Sequence, residues 1–190
     1  MTDGAVREQR VLAEASISPA QLAHIVFRTN QLQAMVDWYL NVLRARVAYR
    51  NEKIAFLAYD DEHHRIAFVA SDQYAEKPGG IRVGFYHAAF SFKTIGDLLG
   101  TYLRLKGDRV LPYRTICHGP TLSFYYRDPD ANEIEFQVDA FDTPQEAEAW
   151  MAQAQFAANP IGIDVDAEDL VSRYRNGEPE AQLLRRADRI

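Results

Sequence analysis

A pattern of strand, helix and three further strands occurs twice in this chain, and that duplication constrains the fold more than either copy alone. The first copy opens on an alternating run, Leu22-Ala23-His24-Ile25-Val26-Phe27, which suits a strand. Asn30 follows as a helix N-cap with Gln33 three residues later. Leu32, Met35, Val36, Tyr39, Leu40 and Leu43 then recur on one helical face. Short strands are expected at Arg46–Arg50, Ile54–Tyr59 and Arg65–Val69, with polar turns at Asn51-Glu52 and Asp60–His63 between them.

The second copy begins after Ser71–Val83, where Pro78-Gly79-Gly80 breaks the chain. A strand around Phe85–Phe90 leads to Thr94-Ile95-Gly96-Asp97, a capping box, and to a helix that stops at Gly107. Strands are expected at Arg109–Arg114, Thr121–Arg127 and Glu133–Val138, and the period between copies is in the sixties. The organisation is an arm over 1–17, a module over 18–70, a linker over 71–83, a second module over 84–140 and an extension over 141–190. In the extension, Thr143-Pro144-Gln145-Glu146 is a strong helix start. Trp150, Met151 and Ala154 are set to dock that helix on the core. A second helix is expected over Ala167–Arg175.

Composition bounds the function classes. With 47% apolar residues among 190, the chain buries an ordinary core. Its net charge of −6 and the lack of a Lys/Arg block argue against nucleic acid. Arg185 and Arg186 sit beside Asp188 and read as a solvated tail. Cys117 is the single cysteine, read as a packed thiol, which rules out an internal disulfide and fits a reducing cytoplasm. The polar start MTDGAVREQR and the lack of any membrane-length apolar run point to a soluble, intracellular protein with no membrane partner.

Two of the five histidines occupy matching places, His24 in the first strand of one copy and His87 in the first strand of the other. A single strand histidine is ordinarily a packed or surface residue. A matching pair carries more weight, because pseudo-twofold halves bring equivalent strands together. The run Glu133-Ile134-Glu135-Phe136-Gln137-Val138 puts Ile134, Phe136 and Val138 on one face and Glu135 on the other. Taken alone, Glu135 reads as the solvated face of an edge strand; beside two imidazoles it completes a ligand set. Two histidines and a carboxylate take one side of an octahedral ion and leave positions open, as Fe(II) oxygenases require.

The string from His118-Gly119-Pro120-Thr121 through Tyr125-Tyr126-Arg127-Asp128-Pro129-Asp130-Ala131-Asn132-Glu133-Ile134-Glu135 resembles the closing motif of the vicinal oxygen chelate superfamily. That superfamily includes glyoxalase I, bleomycin-resistance proteins and type I extradiol dioxygenases. The resemblance covers roughly residues 20 to 140, and the order His, His, Glu matches. It implies an α+β fold in which two tandem βαβββ modules form an open, cup-shaped mixed sheet around a metal, with C-terminal helices added.

Within that family, glyoxalase I-like members use a second acid from the first module. The matching residue here is Ala67 on one alignment and Phe68 on the other, and neither binds a metal. Three protein ligands favour the extradiol branch. The pair His63-His64 looks like the segment in which that branch places a histidine that assists oxygen activation and proton transfer, a role the resemblance gives to His64; as bare sequence it is a polar turn. Tyr125 stands ten residues before Glu135, where those enzymes place a substrate-binding tyrosine, although a strand aromatic is the ordinary reading. Two readings of His118 stay open: a catalytic histidine reaching in from a different loop, or the start of a strand.

The resemblance therefore implies an extradiol (meta) ring-cleaving dioxygenase that takes a catechol-type aromatic and O2 at Fe(II) held by His24, His87 and Glu135. Alternatives on the same fold are a lyase or isomerase using Mn, Zn or Ni, and a bleomycin-resistance-like binding protein. Exposed sheet edges and the C-terminal helices favour a homodimer or higher homo-oligomer.

Overall fold

In the computed structural model, which describes residues 18–76 and 83–187, the duplication takes the form of two sheets. The arm expected over 1–17, the breaker Pro78-Gly79-Gly80 and Asp188 lie outside the described residues. Strand β1 (Ile25–Thr29), helix α1 (Leu32–Val42) and strands β2 (Arg46–Arg50), β3 (Ile54–Ala58) and β4 (Ile66–Ala70) make the first module. The second consists of β5 (His87–Phe92), α2 (Ile95–Gly107), β6 (Arg114–Cys117), β7 (Thr121–Arg127) and β8 (Glu133–Asp139). The extension adds α3 (Pro144–Met151), α4 (Ala154–Ala158), β9 (Ile163–Asp164), α5 (Ala167–Arg175) and α6 (Glu180–Leu183). Among the described residues no helix is long and apolar enough to cross a membrane.

The sheets run β1-β4-β3-β2 and β5-β8-β7-β6-β9. Each first strand pairs in parallel with the last strand of its own module, and the other pairings are antiparallel. One face of each sheet is sealed by its helix. Helix α1 buries Met35, Val36, Tyr39 and Val42, and α2 buries Ile95, Leu98, Leu99, Tyr102 and Leu105, the spacing of an apolar helical stripe. Phe124, Tyr126, Ile134, Phe136 and Val138 meet α2 from the sheet, and Leu170, Val171 and Leu183 of the extension join the same core.

Several starts and stops differ from the sequence-based expectation, each for a local reason. Gln31, not Asn30, caps α1, and Thr29 Oγ1 accepts from its backbone N–H at 3.0 Å. The strand expected over Arg109–Arg114 begins only at Arg114. Residues before it are spent leaving α2, with Arg109 at φ 63° and the Val110 N–H donating back to Leu105. Strand β9, which pairs with β6, is two residues long and carries no periodicity for a pattern to detect. Of the two expected capping boxes, the one at Thr143 forms in full, with Thr143 and Glu146 capping each other. At Thr94 only half forms, because Thr94 accepts from Asp97 N–H while the Asp97 carboxylate accepts from the Thr94 hydroxyl and not from its backbone N–H.

A buried carboxylate ties the modules together. In the β7–β8 turn, Asp128 Oδ1 accepts from the backbone N–H groups of Asp130 (2.9 Å) and Asn132 (2.8 Å). Its Oδ2 accepts from Asn132 Nδ2 at 2.8 Å and from the Tyr39 hydroxyl of α1 at 3.1 Å. Burial pushes the Asp128 carboxyl above the usual range, while these hydrogen bonds act against the rise. Nearby, Gln31 Nε2 donates to Asp130 Oδ1 at 2.6 Å, and Arg104 of α2 donates to the Asn41 carbonyl at 3.0 Å.

The first part of the extension, around α3, closes over the β6–β7 turn rather than over the core. None of the residues of α3 is fully buried, and Met151 is exposed, so the docking expected of Trp150, Met151 and Ala154 takes another form. Trp150 lies against Gly119, where a Cβ would fall 1.9 Å from the indole, and packs beside Phe156. Gly119 also adopts φ +106°, which favours glycine. Arg186 is not solvated either. It is 5% exposed, and its guanidinium lies 5.0 Å from the Trp150 ring and donates to the His118 carbonyl at 2.9 Å.

Two stability measurements follow from these contacts. Asp128→Ala strands four donors, and chemical denaturation is expected to show a loss of about 2–3 kcal/mol, against about 1 kcal/mol for Tyr39→Phe. Gly119→Ala is expected to cost about 2–4 kcal/mol and to change tryptophan fluorescence, because it adds backbone strain to an overfilled contact.

Candidate metal centre

The register of the two parallel pairs shows which residues are counterparts. Ile25 lies opposite Ile66 in one module, and Ala88 lies opposite Ile134 in the other. On that match His24 is the counterpart of His87, and Ala67 is the counterpart of Glu135. Across the antiparallel pairs, Phe56 opposes Ala67 as Tyr125 opposes Glu135. The ambiguity between Ala67 and Phe68 is thereby resolved in favour of Ala67, a buried residue without a donor atom.

Glu135 lies mid-strand in β8, on the face away from α2, and is only 5% exposed. It lies between Ala89 of β5 and Tyr125 of β7. His87, two residues before Ala89 and opposite Glu133, reaches diagonally to place Nε2 2.9 Å from Glu135 Oε2. Nδ1 of His87 is buried and makes no hydrogen bond. Burial first, and then the charge and hydrogen bond of Glu135, raise the Tyr125 hydroxyl far above the ordinary tyrosine range, so Tyr125 stays a phenol.

His24 directly precedes β1 and is exposed. Its ring lies 4.5 Å from that of His64, which in turn stacks on Phe56 at 4.7 Å and 17°. Burial, followed by His63 and His24, holds the His64 imidazole below its ordinary pKa. His87 and Glu135 are therefore brought together, and His24 is gathered with His64 instead. Among the described residues no three of His, Cys, Asp and Glu form a group that could hold an ion. Part of a donor set is nonetheless in place, an imidazole nitrogen against a buried carboxylate, with a second imidazole at the counterpart position.

Around this pair, His118 Nε2 lies 2.8 Å from the Tyr125 hydroxyl, and its Nδ1 faces the Ile161 carbonyl. Tyr113 was not singled out in the sequence. Its hydroxyl donates to Glu133 Oε2 at 2.6 Å, and Arg127 lies 4.1 Å above its ring. One aromatic among ten tyrosines, placed just before a strand, carries no signal of these contacts. Arg186 was missed for the opposite reason: a charged pair near the end of a chain looks like a tail.

Comparison with known proteins places the chain in a family. Residues 21–136 match the model of the glyoxalase/bleomycin resistance protein/dioxygenase superfamily. The chain is 41% identical over 174 residues to biphenyl-2,3-diol 1,2-dioxygenase 3 of Rhodococcus globerulus, covering 88% of each protein. It is 39% identical over 159 residues to biphenyl-2,3-diol 1,2-dioxygenase 2 of the same organism, covering 84% of each. Among solved structures, a glyoxylase/bleomycin resistance protein/dioxygenase domain from Frankia sp. EAN1pec superposes with a TM-score of 0.53 over 64% of this chain and 93% of that one. At 19% identity that likeness speaks for the fold alone. The chain belongs to the glyoxalase/bleomycin resistance protein/dioxygenase superfamily.

Proposed function

We propose that this protein is an extradiol ring-cleaving dioxygenase that opens a catechol-type aromatic with O2, with Fe(II) held by His24, His87 and Glu135. The observation that carries the reading is the contact at 2.9 Å between the His87 imidazole and the buried Glu135 carboxylate. The two relatives whose names specify biphenyl-2,3-diol dioxygenases support the reaction and the substrate class. The fit to a divalent ion rests on the donor set of His87 and Glu135, to which His24 would add a second imidazole on leaving His64. The ion, when bound, lowers the hydroxyl pKa values of a catechol and offers positions for its oxygens and for O2.

The chain's own residues do the rest. The Tyr125 hydroxyl orients one catechol oxygen, and His64, stacked on Phe56 beside His24, accepts a hydroxyl proton on an imidazole nitrogen. Val26 and Tyr49, both about half exposed, offer apolar surface to the ring on the first sheet. Atoms balance without an outside reductant: both oxygen atoms enter the product, and the bond beside the diol breaks to give a muconate semialdehyde-type compound. A cytoplasmic setting and a homodimer, with β2 as an exposed edge, complete the proposal.

The test is anaerobic reconstitution with Fe(II), followed by catechol or biphenyl-2,3-diol and air. The expected result is one O2 consumed per ring and a yellow product. His24→Ala, His87→Ala and Glu135→Gln should each lose more than about 100-fold in kcat/KM, beyond the loss from disturbing a ligand's outer partner. A metal-loaded protein that consumes no O2 with either diol would point to a lyase or isomerase, and unchanged turnover in Glu135→Gln would defeat the ligand set.

A further inference from the structure

Arg186 is a guanidinium buried at the far end of the chain, where desolvation costs several kcal/mol unless its donors are satisfied. Three of its donors go to backbone carbonyls from two separate stretches. Nη1 donates to His118 at 2.9 Å and to Asn159 at 2.7 Å, and Nη2 donates to Gln155 at 3.0 Å. One side chain thus binds the β6–β7 turn to α4 and the loop after it. Asn159 folds that loop on itself, with Nδ2 donating to the Gly162 carbonyl at 2.8 Å and Oδ1 accepting from Gly162 N–H at 3.0 Å. Gly162 lies so close to the turn that a Cβ would fall 2.3 Å from the Cys117 carbonyl. The result is that the Ile161 carbonyl faces His118 Nδ1.

A carbonyl can only accept, so Nδ1 of His118 carries the hydrogen. On the neutral ring Nε2 is then a lone pair, and the Tyr125 hydroxyl 2.8 Å away is the donor to it. Tyr125 has a second acceptor within its reach in Glu135, and one phenol hydrogen cannot serve both. With Nε2 protonated instead, His118 would donate to the phenol oxygen, occupying one of its lone pairs, and the phenol hydrogen would pass to Glu135. With the hydrogen directed to His118, the phenol oxygen presents lone pairs to an incoming hydroxyl.

We infer that Arg186 is a positioning residue: by clamping the Gln155–Gly162 loop to the His118 turn it fixes the Nδ1–H tautomer of His118, which makes Tyr125 an acceptor for a substrate hydroxyl. The last clause rests on the proposed catechol reading, whereas the tautomer does not.

The test has two parts. Two-bond 15N–1H spectra of the full-length, metal-free protein labelled at histidine, with His118→Gln used for assignment, should show His118 with protonated Nδ1 and bare Nε2. Arg186→Met, which keeps the length of the stem, should give a mixture of tautomers. Asn159→Ala, which loosens the loop and leaves the guanidinium in place, should do the same and decides the matter if Arg186→Met fails to fold. A wild-type His118 protonated on Nε2, or a folded variant that keeps the wild-type tautomer, overturns the inference. In the Fe(II)-loaded enzyme, Arg186→Met should lower kcat about 10- to 100-fold with KM little changed, and should cost nothing further in a Tyr125→Phe background. Equal losses in both backgrounds would show that Arg186 acts through the fold at large. An enzyme that opens no catechol leaves the spectra to decide the tautomer alone.

Discussion

A carboxylate buried in a sheet is costly unless something nearby compensates its charge, and Glu135 is the residue on which the rest of this site depends. Strand alternation places it on the face away from the core, yet neighbouring strands and the turn around His118 leave it only 5% exposed. Its nearest polar partner on the neighbouring strand is His87, one register step away, whose Nε2 reaches diagonally to 2.9 Å from Oε2. A protein stabilised only by its core would gain by replacing Glu135 with an apolar residue, so its presence there points to chemistry.

The duplication explains both what is shared and what is not. Each module offers a histidine at the start of its first strand, but only the second keeps an acid on the strand beside it. Where Glu135 and Tyr125 stand in one module, the other has Ala67 and Phe56. The first module uses the space for an aromatic stack in which His64 sits between His24 and Phe56. A twofold scaffold thus carries a one-sided site. The Tyr39–Asp128 contact fixes how the two halves meet, and the extension braces the half that holds the acid.

Much of this was legible in the sequence because it rests on periodicity and local chemistry. The helical stripes of α1 and α2, the caps at Thr94 and Thr143 and the alternation around Glu135 all follow from spacing within a few residues. What was not legible depends on distance. The start of β6 is set by how α2 unwinds, β9 exists only because β6 offers an edge, and the choice between Ala67 and Phe68 needed the pairing register. Arg186 shows the limit most plainly. Its burial follows from carbonyls contributed by Gln155, Asn159 and His118, residues that no pattern near position 186 reveals. The same holds for His24, whose partner in the structure is His64 rather than the pair its repeat position suggests.

That last point identifies the decisive measurement. Crystals of the Fe(II)-loaded protein, with data collected at the iron absorption edge, would locate the ion by its anomalous scattering. The account predicts a single peak against His87 and Glu135, with the His24 ring moved off His64 to join them. A peak held without His24, its ring still stacked on His64, would contradict the three-ligand site.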